Sequence, residues 1–272
     1  MKRRYHFEWE ACTVDMGRVV MKWGGGLISD KTKLCTVLPK RIETLAHTVR
    51  EIYEMGHDVV IVHGAGSFGH IRAKKYRLAE GNIPQLDQTE AIQLVRQDMD
   101  KLHKHVLDSL GSLPVFSHPP RDFVKNTGGS FIGDLSQFTA PGIHVTFGDV
   151  VDCDAPADFG ILSGDDLMLR LSNELPDVNF SIFAMGGTPG VMTDSGPDAT
   201  LIPRLTTDTG FSGIHDEEID VTGGIFLKVD RAFDIAKFVE HVWFIDGHHP
   251  KRIIDILNSG DTIGTRICSE QE

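Results

Sequence analysis

Four short segments of the chain carry the residue types that hold phosphate. In Lys22-Trp-Gly-Gly-Gly26-Leu-Ile-Ser-Asp-Lys31, three consecutive glycines lie between two lysines. Glycine lets backbone N–H groups approach an anion closely, and lysine supplies the opposing charge. A lysine at the end of an apolar run also needs a partner for its charge, and an anionic ligand would be one. The second segment, His63-Gly-Ala-Gly-Ser-Phe-Gly-His70, is another glycine loop, with His70 expected where a helix begins. Helix-start N–H groups beside an imidazole make a seat for a phosphate. The third, Gly148-Asp149-Val-Val151 followed by Leu162-Ser-Gly-Asp-Asp166, contributes carboxylates, which hold lysines in place, bind a metal or cap a helix. In the fourth, Asp220-Val-Thr-Gly-Gly224-Ile-Phe-Leu-Lys228, Gly-Gly opens a helix and Lys228 lies one turn inside it. The first segment fits neither the Walker A pattern nor G-x-G-x-x-G. Taken together, the four segments and their three lysines favour a polyphosphate site.

These segments need a scaffold that brings them to one edge. Val19–Trp23 and Val59–Val62 read as buried strands, each feeding a glycine loop. Between them Ile42, Leu45, Ala46, Val49, Ile52 and Tyr53 recur at helical spacing, and Gly56 ends that helix. Residues 88–110 form a second amphipathic helix. Further strands are expected at 113–116, 143–147, 181–184, 241–245 and 264–268, with helices at 165–175, 225–240 and 250–258. Alternation of this kind predicts an α/β fold with a largely parallel sheet, in which ligands sit at the carboxyl ends of the strands. The polar stretch 186–220 is the one candidate lid or insertion. Residues 1–18 read as an N-terminal extension and 19–268 as a single domain.

The chain has 272 residues and a formal charge of −12, which disfavours nucleic acid and anionic membrane as partners. Arg72, Lys74, Lys75 and Arg77 are the nearest approach to a basic patch and read as a solvated helix face. Cys12, Cys35, Cys153 and Cys268 are scattered, so a reduced, cytoplasmic setting is expected. The basic start is followed by no apolar stretch of the kind a signal peptide needs. No window approaches the length of a membrane span. Neither His103/His105 nor His248/His249 has zinc-site spacing.

In order along the chain, Lys22–Lys31, Val62–His70, Gly148–Val151, Ser163–Asp166, Asp220–Lys228 and Ile263–Ile267 resemble the motifs of the amino acid kinase family. Within it, the histidine closing the second loop is similar to that of the isopentenyl phosphate and fosfomycin kinases, the former matching more fully. The resemblance implies an open αβα sandwich around a mostly parallel sheet, with the phosphoryl acceptor and ATP on opposite sides of its C-terminal edge. The acceptor half would span about 19–175 and the nucleotide half about 176–268. It further implies ATP and Mg²⁺, a small phosphate substrate, a homodimer and no protein ligand to the metal. Lys22 and Lys31 would neutralise the transferring phosphoryl group, and Lys228 would hold ATP phosphates. Gly24, Gly25, Gly26, Gly66 and Gly224 would offer backbone N–H groups to the nucleotide. His70, with Ala65, Gly69 and Gly164, would grip the phosphate already on the substrate. Asp165 would align the lysines without acting as a base. Alanine at Lys22, Lys31 or His70 is expected to cripple activity and leave folding intact. The chain departs from the family at Met185-Gly-Gly-Thr-Pro-Gly190, where T-D-V-D-G is usual and both acids are missing. Two alternatives are a kinase for another small phosphate or phosphonate, such as fosfomycin, and a non-catalytic nucleotide- or oxyanion-binding relative.

Overall fold

The structure is a computed structural model that describes residues 16–194, 196–206 and 224–269. The N-terminal extension up to residue 15 and the Asp220–Gly223 part of the fourth motif lie outside the described residues.

The strands are β1 (Arg18–Trp23), β2 (Asp58–His63), β3 (Val115–Ser117), β4 (Val124–Lys125), β5 (Ile132–Gly133) and β6 (Ile143–Phe147). They continue with β7 (Asp149–Asp152), β8 (Phe159–Leu162), β9 (Val178–Met185), β10 (Arg204–Thr206), β11 (His241–Asp246) and β12 (Thr265–Cys268). The helices are α1 (Gly25–Ile28), α2 (Pro39–Glu54), α3 (Gly66–Lys75), α4 (Thr89–Leu110), α5 (Gly164–Glu174), α6 (Gly224–Ala236) and α7 (Lys251–Ser259). Eight strands make one sheet in the order β10-β12-β11-β9-β1-β2-β6-β3, parallel throughout except for the β11–β12 pair.

Every residue of β1 is buried, so period-two alternation divides its side chains between the two faces of the sheet. Val19, Met21 and Trp23 join one core cluster with residues of α2, α4 and α7. Val20 joins the other, with residues of α5 and α6. Two helical layers over one sheet give the open αβα sandwich. The same alternation turns Lys22 to the α5 face, at the C-terminal end of a central strand.

α2 starts with Pro39 in its first turn and buries Ile42, Leu45, Ala46, Val49 and Ile52, as the spacing predicts. α5 starts at Ser163, whose Oγ accepts a hydrogen bond from the Asp165 N–H at 3.1 Å. A second sheet, β5-β4-β7-β8, is absent from the sequence reading. Its strands are only two to four residues long, too short for a period to be read. Of the stretch 186–220, expected as a lid or insertion, the described residues hold a Met192–Leu201 bridge and the strand β10 on the sheet edge; residues 207–220 lie outside the described residues. Among the described residues no helix is long and apolar enough to cross a membrane.

Candidate active site

The loops after β1 and β2 meet at the carboxyl edge of the sheet and border a cavity of about 280 Å³. Lys22, Gly24, Gly25, Gly26, Lys31, Ala65, Gly69, His70, Gly164, Gly224 and Lys228 all line it. Residues from four separate motifs are thus collected in one place. Its lining also includes the apolar Ala73, Val95, Met99, Val150 and Ile161, along with Asp149 and Ser163. Met185, Gly186 and Thr188 border it elsewhere, so the segment that departs from the family pattern lies on this cavity.

Two expected residues sit behind the wall. Asp165 is fully buried; one carboxylate oxygen accepts from Lys22 Nζ and the other lies 3.4 Å from Lys228 Nζ. Burial pushes the Asp165 carboxyl up, but the Lys22 and Lys228 charges outweigh it and hold it below the usual carboxylate range. A carboxylate so committed is a poor proton acceptor. Lys228 also donates to the Gly224 carbonyl at 2.9 Å, which ties it to the start of α6. Gly66, the second, packs against the first loop: a Cβ built on Gly25 would stand 2.3 Å from the Gly66 nitrogen. Lys31 crosses Gly26, where an added Cβ would lie 2.3 Å from its Cε.

Several readings of the sequence change at this point. His70 does not begin a helix: α3 starts at Gly66, so the glycine loop is itself helical and His70 is one turn inside. Asp149 holds no lysine; its carboxylate accepts from Arg121 at 2.8 Å, and burial raises its carboxyl to about 6 despite that cation. Val115 and Phe116 of β3 are not among the cavity's lining residues, and Phe116 stands exposed on the edge strand. Arg72 is not simply solvated, because its Nε donates to the buried Asp98 at 2.7 Å.

Sequence reasoning also passed over a buried histidine pair behind the second loop. His63, the last residue of β2, meets His103 of α4 at 3.1 Å, and His103 meets Ser117 Oγ at 2.8 Å. Burial holds His63 well below its ordinary value of 6.5 and lowers His103 to about 4. For a base depressed in the folded state, the unfolded chain takes up protons first as pH falls. Stability is therefore complete above about pH 6.5 and erodes between there and about pH 4. The melting temperature is expected to fall across that window, and His103→Gln to flatten the slope in thermal scans.

A family model described as the amino acid kinase family matches residues 17–245. The chain belongs to the amino acid kinase family. It is 30% identical over 244 residues to the isopentenyl phosphate kinase of Thermoplasma acidophilum, covering 88% of this chain and 95% of the relative. To the isopentenyl phosphate kinase of Methanocaldococcus jannaschii it is 28% identical over 268 residues, covering 91% and 97%. The T. acidophilum isopentenyl phosphate kinase product complex superposes with a TM-score of 0.74 at 26% identity, covering 92% of this chain and 99% of that one. Among the described residues no three His, Cys, Asp or Glu side chains are grouped to hold a metal. Among the described residues Asp165 is engaged by two lysines, and Lys22, Lys31, Lys228 and the glycine backbone suit phosphates that would themselves carry a magnesium ion.

Proposed function

We propose that the protein transfers the γ-phosphoryl group of ATP to isopentenyl phosphate, giving isopentenyl diphosphate and ADP. The observation that carries this reading is the composition of the cavity. The lining combines lysines, a histidine and glycine backbone, suited to phosphates, with apolar side chains. The apolar part, Ala73, Val95, Met99, Val150 and Ile161, suits a short branched hydrocarbon. A compact phosphonate such as fosfomycin would want polar walls there.

In the reaction a phosphate oxygen of the acceptor attacks the γ-phosphorus as the bond to the β–γ bridging oxygen breaks, and that oxygen's charge leaves on ADP. A phosphate monoester is already a nucleophile near neutral pH, so no strong base is required. Catalysis is then positioning and charge neutralisation. His70, with backbone from Ala65, Gly69 and Gly164, holds the phosphate already on the acceptor. Lys22 and Lys31 face the group in transfer, and Lys228 with Gly224 faces the nucleotide's phosphates. Magnesium, when bound, adds charge neutralisation on the nucleotide. The acceptor side draws on residues about 19–175 and the nucleotide side on about 176–268, where Met185, Gly186 and Thr188 replace the family's acidic segment. A homodimer and a cytoplasmic setting belong to the same proposal, resting on the resemblance and on the chain's charge and cysteine usage.

The test is ADP release from ATP and Mg²⁺ with isopentenyl phosphate, dimethylallyl phosphate or fosfomycin as acceptor. Saturable turnover on the prenyl phosphates is expected. His70→Ala should raise the acceptor KM by about 10- to 100-fold, the worth of one charge-assisted hydrogen bond. Turnover on fosfomycin alone, or silence with all three, would sink the assignment.

A further inference from the structure

Asp98 is a buried carboxylate in the middle of α4 that lines no part of the cavity. Its side chain is 3% exposed. Burial works to raise its carboxyl, yet hydrogen bonds from Lys101, Cys35 and Arg72 hold it below the ordinary range. It is therefore a charged hub, and its partners come from three different places. Arg72 Nε, 2.7 Å away, belongs to α3 two residues beyond His70. Lys101 Nζ, 2.8 Å away, lies one turn along α4. The Cys35 thiol belongs to the loop that carries Lys31.

The start of α3 is anchored on the first loop, where the Ser67 N–H donates to Ser29 Oγ at 3.0 Å, but beyond Gly69 the helix buries only Ala73. α3 buries only Phe68 and Ala73 as apolar side chains larger than glycine, and its N-cap makes no side-chain hydrogen bond. The Lys31 loop closes on itself through Asp30 N–H to the Thr36 carbonyl at 2.9 Å. It rests on α3 through the Ser67 carbonyl and hydroxyl, which accept from the Cys35 and Thr36 N–H groups at 3.3 and 3.2 Å. Asp98 ties this loop–helix unit to α4, whose Val95 and Met99 form the apolar wall.

We propose that Asp98 is a positioning residue for the acceptor side of the site, holding through Arg72 and Cys35 the two elements that present His70 and Lys31 opposite the apolar wall of α4. The proposal rests on the reading of His70 as the acceptor-phosphate contact.

The experiment is steady-state kinetics of Asp98→Asn, Arg72→Gln and their double variant, with isopentenyl phosphate and ATP varied separately and His70→Ala alongside. Misplacing a binding group by a fraction of its bond length has large effects, so each single variant should raise the acceptor KM by about tenfold. The ATP KM should stay within about twofold of wild type, because Lys228 and Gly224, which face the nucleotide, lie on α6, away from Arg72 and Cys35. Meanwhile kcat should fall through Lys31, which faces the group in transfer. The double variant should be no worse than the poorer single, since both break one link. Alkylation of Cys35, followed by peptide mass against pH, gives a reading independent of turnover. Burial first and Asp98 next raise this thiol to about 11, so Asp98→Asn should move its reaction profile to lower pH.

Equal rises in both KM values, additive single effects, or an unchanged acceptor KM in folded variants would each overturn the proposal. Should Asp98→Asn not fold, Arg72→Gln carries the kinetic test alone, its guanidinium reaching the surface. If His70→Ala itself leaves the acceptor KM unchanged, the reading of His70 has failed. If only the Asp98 and Arg72 variants do so, the positioning role has.

Discussion

Lys22→Met is expected to lower turnover by about 10²–10³, the usual loss when one preorganised donor to a developing charge is removed. Lys22 is 6% exposed, stands at the carboxyl end of a central strand, and borders the cavity that receives both loops and the start of α6. Its charge is useful there because the surroundings are poor in water. The same burial revises the expectation that the fold would be indifferent to its loss. Removing the lysine leaves the fully buried Asp165 with Lys228, 3.4 Å away, as its remaining partner in the pair network. Breaking a buried pair by deleting one member costs about 3–5 kcal/mol. Lys22→Met should therefore be both slow and less stable.

The two effects separate in a second variant. In Lys22→Met/Asp165→Asn the stranded carboxylate is replaced by an uncharged amide, so most of the lost stability should return while turnover stays low. Denaturant unfolding beside ADP release reads both. A double variant that regains turnover would mean that Lys22 acts only by satisfying Asp165. The pH dependence has a definite sign as well. Asp165 is depressed in the folded state, so its contribution is present above the unfolded carboxylate value. It is lost as pH falls through the folded one.

How much of this was legible in sequence depended on the length of each local pattern. β1, β2 and their loops were readable because Val19–Trp23 and Val59–Val62 each hold four apolar residues just before a glycine loop. α4 was readable because Val95, Met99, Leu102, Val106 and Leu110 keep one face of a 22-residue helix. The four-stranded second sheet was not, since strands of two to four residues carry no periodicity. Placing His70 at a helix start followed glycine's poor helix propensity, which tertiary contacts override: Gly66 to Gly69 are helical and all buried. Asp98, Arg72 and Arg121 were invisible for another reason. A charge on an amphipathic helix reads as solvated until the fold shows a partner, and Asp98 finds Arg72 26 positions away. The four motifs were found without knowing that Asp165 stands behind the cavity wall, because sequence order carries no depth.

Gly25→Ala is the other substitution expected to act strongly, and it acts on backbone instead of charge. The loops after β1 and β2 interlock: a Cβ on Gly25 would lie 2.3 Å from the Gly66 nitrogen and 2.7 Å from its Cα. Conversely, Gly66 has φ +50°, and a Cβ there would meet the Gly25 carbonyl oxygen at 2.5 Å. These neighbours are backbone, and at Gly66 the Ser29 hydroxyl crowds the same space, so the loops themselves must part. Overpacking of this kind costs about 3 kcal/mol. Parting the loops also moves the backbone before Lys31 away from that before His70, which should lower turnover by about 10². Gly26→Ala is the informative contrast. Its new Cβ meets only the far end of Lys31, which can swing aside, so unfolding should stay near wild type while turnover falls through the displaced ammonium group. Thermal unfolding and kinetics on the pair distinguish a glycine required by backbone contact from one required by a passing side chain. If Gly25→Ala melts and turns over like wild type, the two loops are not in rigid contact, and glycine at that position answers to the phosphates instead.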